Sequence, residues 1–277
     1  MTALTTYCIL SEMKIIDFHT HAFPDAVAEK AIPFLEEKGG ISAHLDGRVS
    51  SLLKSMDKAG IATSVVCSIA TKPEQFAPIL NWSKSIASER LIPFLSVHPG
   101  DTEAVEKVRI VKEEGFKGIK LHPYYQEFDM DEERMFPLYE KIEECGLILV
   151  SHTGFDFAFP RVRKCDPERI VRVLDKFPRL KLVTTHLGSW EDWDEVKKHL
   201  LGKPVYMEIS FSLEFMGEKK AKEILTAHLK EYLLFGTDSP WGSQKETLAA
   251  LRSLEIGRER EELLLSGNAK KLLGWEE

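Results

Sequence analysis

Ile15-Ile16-Asp17-Phe18-His19-Thr20-His21 opens the readable part of the chain, with an apolar first half and two histidines two residues apart. In an extended strand that period puts both imidazoles on one face. The same address recurs. Six of the nine histidines, His19, His21, His98, His122, His152 and His186, sit at or just past the C-terminal end of a short apolar run, and a further run ends in Asp238. Surface histidines would scatter. A metal site built from many strand ends at one mouth is the simplest physical account.

Working outward, short β-branched runs followed by polar, periodic segments predict strands over 14–18, 63–68, 91–97, 117–121, 147–151, 181–185, 205–209 and 232–237. Helical patterns fill the gaps at 50–59, 102–114, 131–145, 167–177 and 221–230. Gly60, Gly115 and Gly146 stand where helices should end, and Asp101, Asp131 and Asp166 where they should be capped. Eight β-then-α units without a repeated G-x-G-x-x-G favour a closed (β/α)8 TIM barrel over an open sheet. The long connection from Thr20 to Ala62 exceeds one helix and predicts a lid-like insertion after the first strand. We read residues 14–277 as one barrel domain and 1–13 as an N-terminal extension, with Met13 a candidate natural start.

Composition narrows the function. A net charge of −7 with no Lys/Arg cluster argues against nucleic acid as a partner. No apolar run approaches a membrane span of about 20 residues, and the N-terminal stretch lacks the basic segment of a signal peptide. Cys8, Cys67, Cys145 and Cys165 form no C-x-x-C pair, so reduced thiols and a cytoplasmic location are expected. Gln and Asn together number five against 81 charged residues, a bias that a thermophilic source would show.

In a barrel of this kind chemistry sits at the C-terminal mouth, where these histidines, Lys120, Glu208 and Asp238 all fall. Imidazole nitrogens with a carboxylate suit Zn²⁺, and also Mn²⁺ or Fe²⁺. Taken singly, each residue has a bland reading: H-x-H is a weak motif, and Asp238 in Gly236-Thr237-Asp238-Ser239-Pro240 could cap a turn. Together they repeat one position in unit after unit, which chance explains poorly. His98 is read as structural, and His44, His199 and His228 as solvent-facing. Asp17 shares the parity of His19 but lies deeper, where it would orient a ligand histidine.

With these residues in view, the chain resembles the amidohydrolase superfamily. The order H-x-H on strand 1, histidine on strands 5 and 6, and aspartate on strand 8 carries the resemblance. Gly118-Ile119-Lys120-Leu121-His122-Pro123, Ser151-His152-Thr153-Gly154, Thr185-His186-Leu187-Gly188, the Asp238 segment and Gly267-Asn268-Ala269-Lys270-Lys271-Leu272-Leu273 point to its "amidohydrolase 2" branch. That branch mixes metal-dependent hydrolases with non-oxidative decarboxylases. The resemblance implies that His19, His21, His152 and Asp238 hold a catalytic metal. His186 then binds a second ion or positions water, and Asp238 moves protons. In some two-metal relatives a strand-4 lysine is carboxylated and bridges the ions. An ammonium aimed at a divalent ion is repelled, so Lys120 is expected to meet a substrate anion or to pair with Glu208; the alternative is that Lys120 is carboxylated in the same way, with His122 and His186 on the second ion.

Aromatics crowd the loops after the strands, including Phe23, Tyr124, Tyr125, Phe155, Phe157, Trp190, Phe211 and Trp241, and predict an apolar pocket. Lys120, His122, Tyr124, Phe155, Arg161 and Trp241 are the candidate substrate contacts, with Arg161 or Arg163 gripping a carboxylate. The expectation is a metal-dependent hydrolase, with one or two divalent ions, acting on an amide, cyclic amide, ester or lactone of a small organic substrate. A decarboxylase of a carboxylic acid, aromatic ones included, is the first alternative, and a catalytically silent metal-binding barrel the second. A homo-oligomer is compatible with all three.

Overall fold

Eight strands follow one another in chain order: β1 (Ile15–Thr20), β2 (Ile61–Cys67), β3 (Leu91–Phe94), β4 (Gly118–Leu121), β5 (Ile148–Ser151), β6 (Lys181–Thr184), β7 (Tyr206–Glu208) and β8 (Leu233–Leu234). The computed structural model that shows them describes residues 14–275. The expected N-terminal extension, with Cys8 and Met13, lies outside the described residues.

β1 to β3 pair in parallel, as do β4 to β8. Individual hydrogen bonds close the two remaining seams. Between β3 and β4, Leu95 N–H donates to Gly118 O at 3.2 Å and Lys120 N–H to Leu95 O at 2.7 Å. Between the segment after β8 and β1, Phe18 N–H donates to Phe235 O and Asp238 N–H to His19 O, each at 2.7 Å. The result is the (β/α)8 barrel expected from the sequence.

Its interior is filled by side chains from alternate positions, among them Ile16, Phe18, Val65, Cys67, Phe94, Ile148, Val150, Val183 and Leu234. Ala269, Leu272 and Leu273 of the last helix (Asn268–Leu273) join this plug, next to the start of β1, where Ser266 Oγ donates to Lys14 O at 2.8 Å. That end of the barrel is sealed, so the strand C-termini form the open mouth.

Several expected boundaries shift, each for a local reason. The single helix expected over 131–145 is a 3₁₀ turn (Glu133–Met135) followed by an α-helix (Phe136–Glu144) with Pro137 in its first turn. Asp131 is no cap: its carboxylate pairs with Arg169 and Arg172. Asp166 does cap the helix Pro167–Lys176, accepting from Arg169 N–H, and Gly60 closes Val49–Ala59 at φ 70°. β8 is two residues long where six were expected, because the chain beyond it bends into the mouth and Asp238 takes a left-handed backbone, φ 57°.

The insertion after β1 holds two helices, Asp25–Gly39 and Val49–Ala59, the first of which reaches over the mouth. Cys67, Cys145 and Cys165 are free thiols. Among the described residues no helix is long and apolar enough to cross a membrane.

Close packing inside the barrel makes one glycine testable. Gly118 opens β4 against the ring of Phe94, which itself stands edge-on to Phe18 at 5.8 Å. A Cβ at Gly118 would come within 2.2 Å of that ring, which is fully buried and packed on Phe18, and so has little room to move. Gly118→Ala should therefore cost about 1–3 kcal/mol of stability, read as a lower urea midpoint at unchanged slope.

Candidate metal centre

Four imidazoles at the mouth are each held from behind by an acceptor. His21 Nδ1–H donates to the Cys67 carbonyl at 2.7 Å, and His186 Nδ1–H to the Ser210 carbonyl at 3.1 Å. His152 Nε2–H donates to the Phe155 carbonyl at 3.0 Å, and His19 Nδ1–H to the Glu208 carboxylate at 3.0 Å. A carbonyl accepts and never donates, so the tautomers of His21, His152 and His186 follow from the geometry. In the neutral ring the opposite nitrogen is then a bare lone pair. Burial pushes the His19 and His152 imidazoles well below their usual range, and lowers His186 too, so these rings are neutral.

The bare nitrogens converge. His19 Nε2 lies 3.1 Å from His21 Nε2, and Asp238 Oδ1 lies 3.3 Å and 3.0 Å from the two. His186 Nε2 and His152 Nδ1 face each other at 3.2 Å. Acceptors crowded at such distances call for cations among them, and the Lys120 ammonium reaches only His19 Nε2, at 3.1 Å. Asp238 Oδ1 is also buried with no hydrogen-bond donor. Ligands at about 2.0–2.1 Å around one tetrahedral ion would stand about 3.3 Å apart, which is the separation seen. The donor set fits a divalent ion.

His186 and Asp238 both adopt left-handed backbone at φ 57°, uncommon for residues with a side chain. Partners on both flanks hold them there. His186 N–H donates to Glu208 Oε1 at 3.0 Å, and Trp193 Nε1–H donates to His186 O at 2.9 Å. Asp238 N–H is held by His19 O, and Asp238 O accepts Trp241 N–H at 3.0 Å.

Lys120 Nζ reaches into this ring and donates to His19 Nε2 at 3.1 Å. It makes no ion pair with Glu208, contrary to one expectation; Glu208 is taken up by His19, His186 and Ser210. Burial lowers the Lys120 ammonium from its usual value. His122 does not join His186 as expected. It stacks on His152, centroids 4.2 Å apart, and its Nε2 lies 3.4 Å from Asp156 Oδ2. His122, His152 and Asp156 form a second group spaced for an ion. The site therefore offers places for one or two divalent ions, though His152 reaches the second only through Nε2, the nitrogen that now donates to Phe155 O. Asp156 was not singled out from sequence; its one signal was a carboxylate four residues past His152.

Above the donors lies a cavity walled mainly by Phe23, Ile69, Tyr125, Phe155, Phe157, Trp190, Phe211 and Trp241, with Leu35 and Ile41 contributed by the insertion. The expected lid is real. Lys38, at the end of its first helix, sits over the rings of Tyr125 and Phe159 at 4.8 and 4.1 Å and pins it to the rim.

Two expected substrate contacts lie elsewhere. Tyr124 is turned away, its hydroxyl donating to the Val162 carbonyl at 2.6 Å with Gly154 O nearby at 3.1 Å, and Tyr125 lines the cavity in its place. Arg161 is exposed, pairs with Glu191 and stacks on Phe155, while Arg163 pairs with Asp192. Lys120 is the single Lys or Arg among the lining residues. His98 is structural, its Nδ1 accepting Gly100 N–H. His228 is buried rather than solvent-facing and donates to Val205 O.

Asp17 departs from the period-two rule because a register shift separates Asp17 from Thr20 in the β1–β2 pairing. Its carboxylate accepts from Thr237 Oγ1 at 2.6 Å, Gln244 Nε2 at 2.8 Å, Thr237 N–H at 3.1 Å and His19 N–H at 3.3 Å. It thus ties the backbones of β1 and the Asp238 segment together and touches no ligand ring. Burial pushes this carboxyl up to about 7, against the pull of those donors.

The family model described as amidohydrolase matches residues 16–275. The chain belongs to the amidohydrolase family. A curated dihydroorotase of Azotobacter vinelandii is 30% identical over 114 residues, covering 37% of this chain and 32% of that protein, so the chain spans about a third of its length. A TIM-barrel protein of Bordetella bronchiseptica superposes with a TM-score of 0.77 at 22% identity, over 94% of this chain and 98% of that one. The 5-carboxyvanillate decarboxylase of Sphingomonas paucimobilis does so with 0.71 at 14% identity, over 95% and 99%. These two barrels show the fold.

The geometry separates ion ligands from surface acids. Asp238→Ala should weaken Zn²⁺ or Mn²⁺ binding at least tenfold in chelator competition. Glu195→Ala, in the partly exposed Glu168–Glu195–His199 group away from the mouth, should leave affinity and stoichiometry unchanged.

Proposed function

We propose that the protein is a metal-dependent decarboxylase of a small, ring-bearing carboxylic acid. The observation that carries this reading is the contrast inside the cavity: walls that are mainly apolar and aromatic, broken by Thr71 and by Asp156 beside His122, and one cationic side chain, Lys120, at the floor among the ion ligands. A ring fits the walls, and a carboxylate has a single place to go. A chamber of low dielectric strengthens every charge interaction at that floor and disfavours a localised carboxylate elsewhere. Full-length structural similarity to the 5-carboxyvanillate decarboxylase and to a 2,6-dihydroxybenzoate decarboxylase supports the same chemistry more than the amide or ester hydrolysis expected from sequence.

In this reading His19, His21, His152, His186 and Asp238 hold the ion, for which zinc suits the donor set best. Bound there, a divalent ion supplies Lewis acidity toward the substrate's oxygens. Lys120 pairs with the carboxylate, and the aromatic walls and the pinned lid orient the ring and exclude water. The bond from ring carbon to carboxyl breaks, CO₂ leaves, and the electron pair stays on the carbon. Asp238 relays the proton that this carbon then takes up. The free thiols Cys67, Cys145 and Cys165 support a reducing, cytoplasmic setting.

A second reading, hydrolysis by metal-activated water, is favoured by the second His122–His152–Asp156 group and by the local similarity to dihydroorotase. Two adjacent ions would clamp a water and a carbonyl oxygen. Carboxylation of Lys120 belongs to this reading.

A panel of aromatic carboxylic acids, lactones and cyclic amides with Zn²⁺- or Mn²⁺-loaded protein distinguishes the two. CO₂ release from an acid, lost on chelation and lowered roughly 10²–10⁴-fold by Asp238→Asn, is the expected result. Acid production from a lactone or cyclic amide, with no CO₂ from any acid, would establish hydrolysis instead.

A further inference from the structure

Glu208 ends β7 fully buried, and its two oxygens meet donors. Oε1 accepts from His19 Nδ1–H at 3.0 Å, His186 N–H at 3.0 Å and Ser210 O–H at 2.7 Å; Oε2 accepts from Ser210 N–H at 2.7 Å. An amide in this place would aim N–H at one of them. A carboxylate, an acceptor at every lone pair, meets all four.

A second observation comes from the opposite side. Gly236, two residues before Asp238, has no left-handed backbone to explain it. A Cβ there would lie 2.2 Å from Glu208 Oε2 and 2.9 Å from Glu208 Cδ. The missing side chain leaves the space in which the carboxylate sits.

We propose that Glu208, seated against Gly236, is a positioning residue for the metal centre. It fixes His19 as the Nδ1–H tautomer, so that Nε2 is bare toward the ion. Through the His186 backbone N–H it also sets the strained turn that presents the β6 ligand. One carboxylate on β7 thereby aligns ligands from β1 and β6, and a glycine after β8 makes room for it. The inference rests on His19 being an ion ligand; its tautomer is read without any ion.

The test uses full-length protein with Glu208→Gln and Gly236→Ala, and adds Glu208→Ala, alone and combined with Gly236→Ala, for a double-mutant cycle. In metal-free wild type, long-range ¹H–¹⁵N spectra should show His19 and His21 as Nδ1–H tautomers. Glu208→Gln and Gly236→Ala should each shift His19 toward the Nε2–H form or a mixture, leave His21 (held by Cys67 O) unchanged, and weaken Zn²⁺ binding roughly 10–100-fold. Co²⁺-loaded variants should show altered visible bands. In a double-mutant cycle, Gly236→Ala should cost nothing further once Glu208 is alanine. Wild-type tautomer and Zn²⁺ affinity in either variant would overturn the proposal, as would additive losses in the cycle. A normal His19 tautomer shift with no enzymatic activity on any substrate would count against the proposed function alone.

Discussion

Neutral imidazole has one donor and one acceptor nitrogen, and at this mouth the donors are spent on the protein. Carbonyls of Cys67, Phe155 and Ser210 and the carboxylate of Glu208 take the four N–H groups, which leaves four lone pairs and Asp238 facing a common space. Such an arrangement is costly without a cation, since buried acceptors left unpaired lose their hydration and gain nothing. Lys120 supplies part of that charge through His19. The rest of the design, from the lid to the strained turns, holds this cluster in place and dry.

The barrel closes at the point where the chemistry is densest. β8 is short, and the segment after it binds β1 through single hydrogen bonds and the carboxylate of Asp17. A regular ladder there would have kept Asp238 in the sheet. Breaking it allows the backbone to turn left-handed and aim the carboxylate at His19 and His21. Two buried carboxylates share the support of His19: Asp17 holds its backbone and Glu208 its ring.

Much of this was legible in the chain. Alternation of apolar runs and periodic segments reports a barrel because every unit must bury one face of a strand and one stripe of a helix. Histidines recurring at strand ends report a mouth. Where reading failed, the reason was a direction that spacing does not encode. Asp17 has the parity of His19, but a register shift turns it to the seam. Tyr124 and Tyr125 are neighbours of one type, and loop path alone puts the second in the cavity. Arg161 has the residue type of a carboxylate grip, but Glu191, 30 residues on, pairs with it.

The sequence by itself determined the fold class and which histidines stand with Asp238 at the C-terminal mouth of the barrel, because local periodicity and residue type suffice for each. Tertiary structure alone decided which nitrogen of each ring is bare, that Asp156 stands with His122, and that Gly236 yields its space to Glu208. Apart from the His152–Phe155 contact, which spans three residues, those outcomes depend on contacts between residues tens to hundreds of positions apart, and no local pattern in the chain records them.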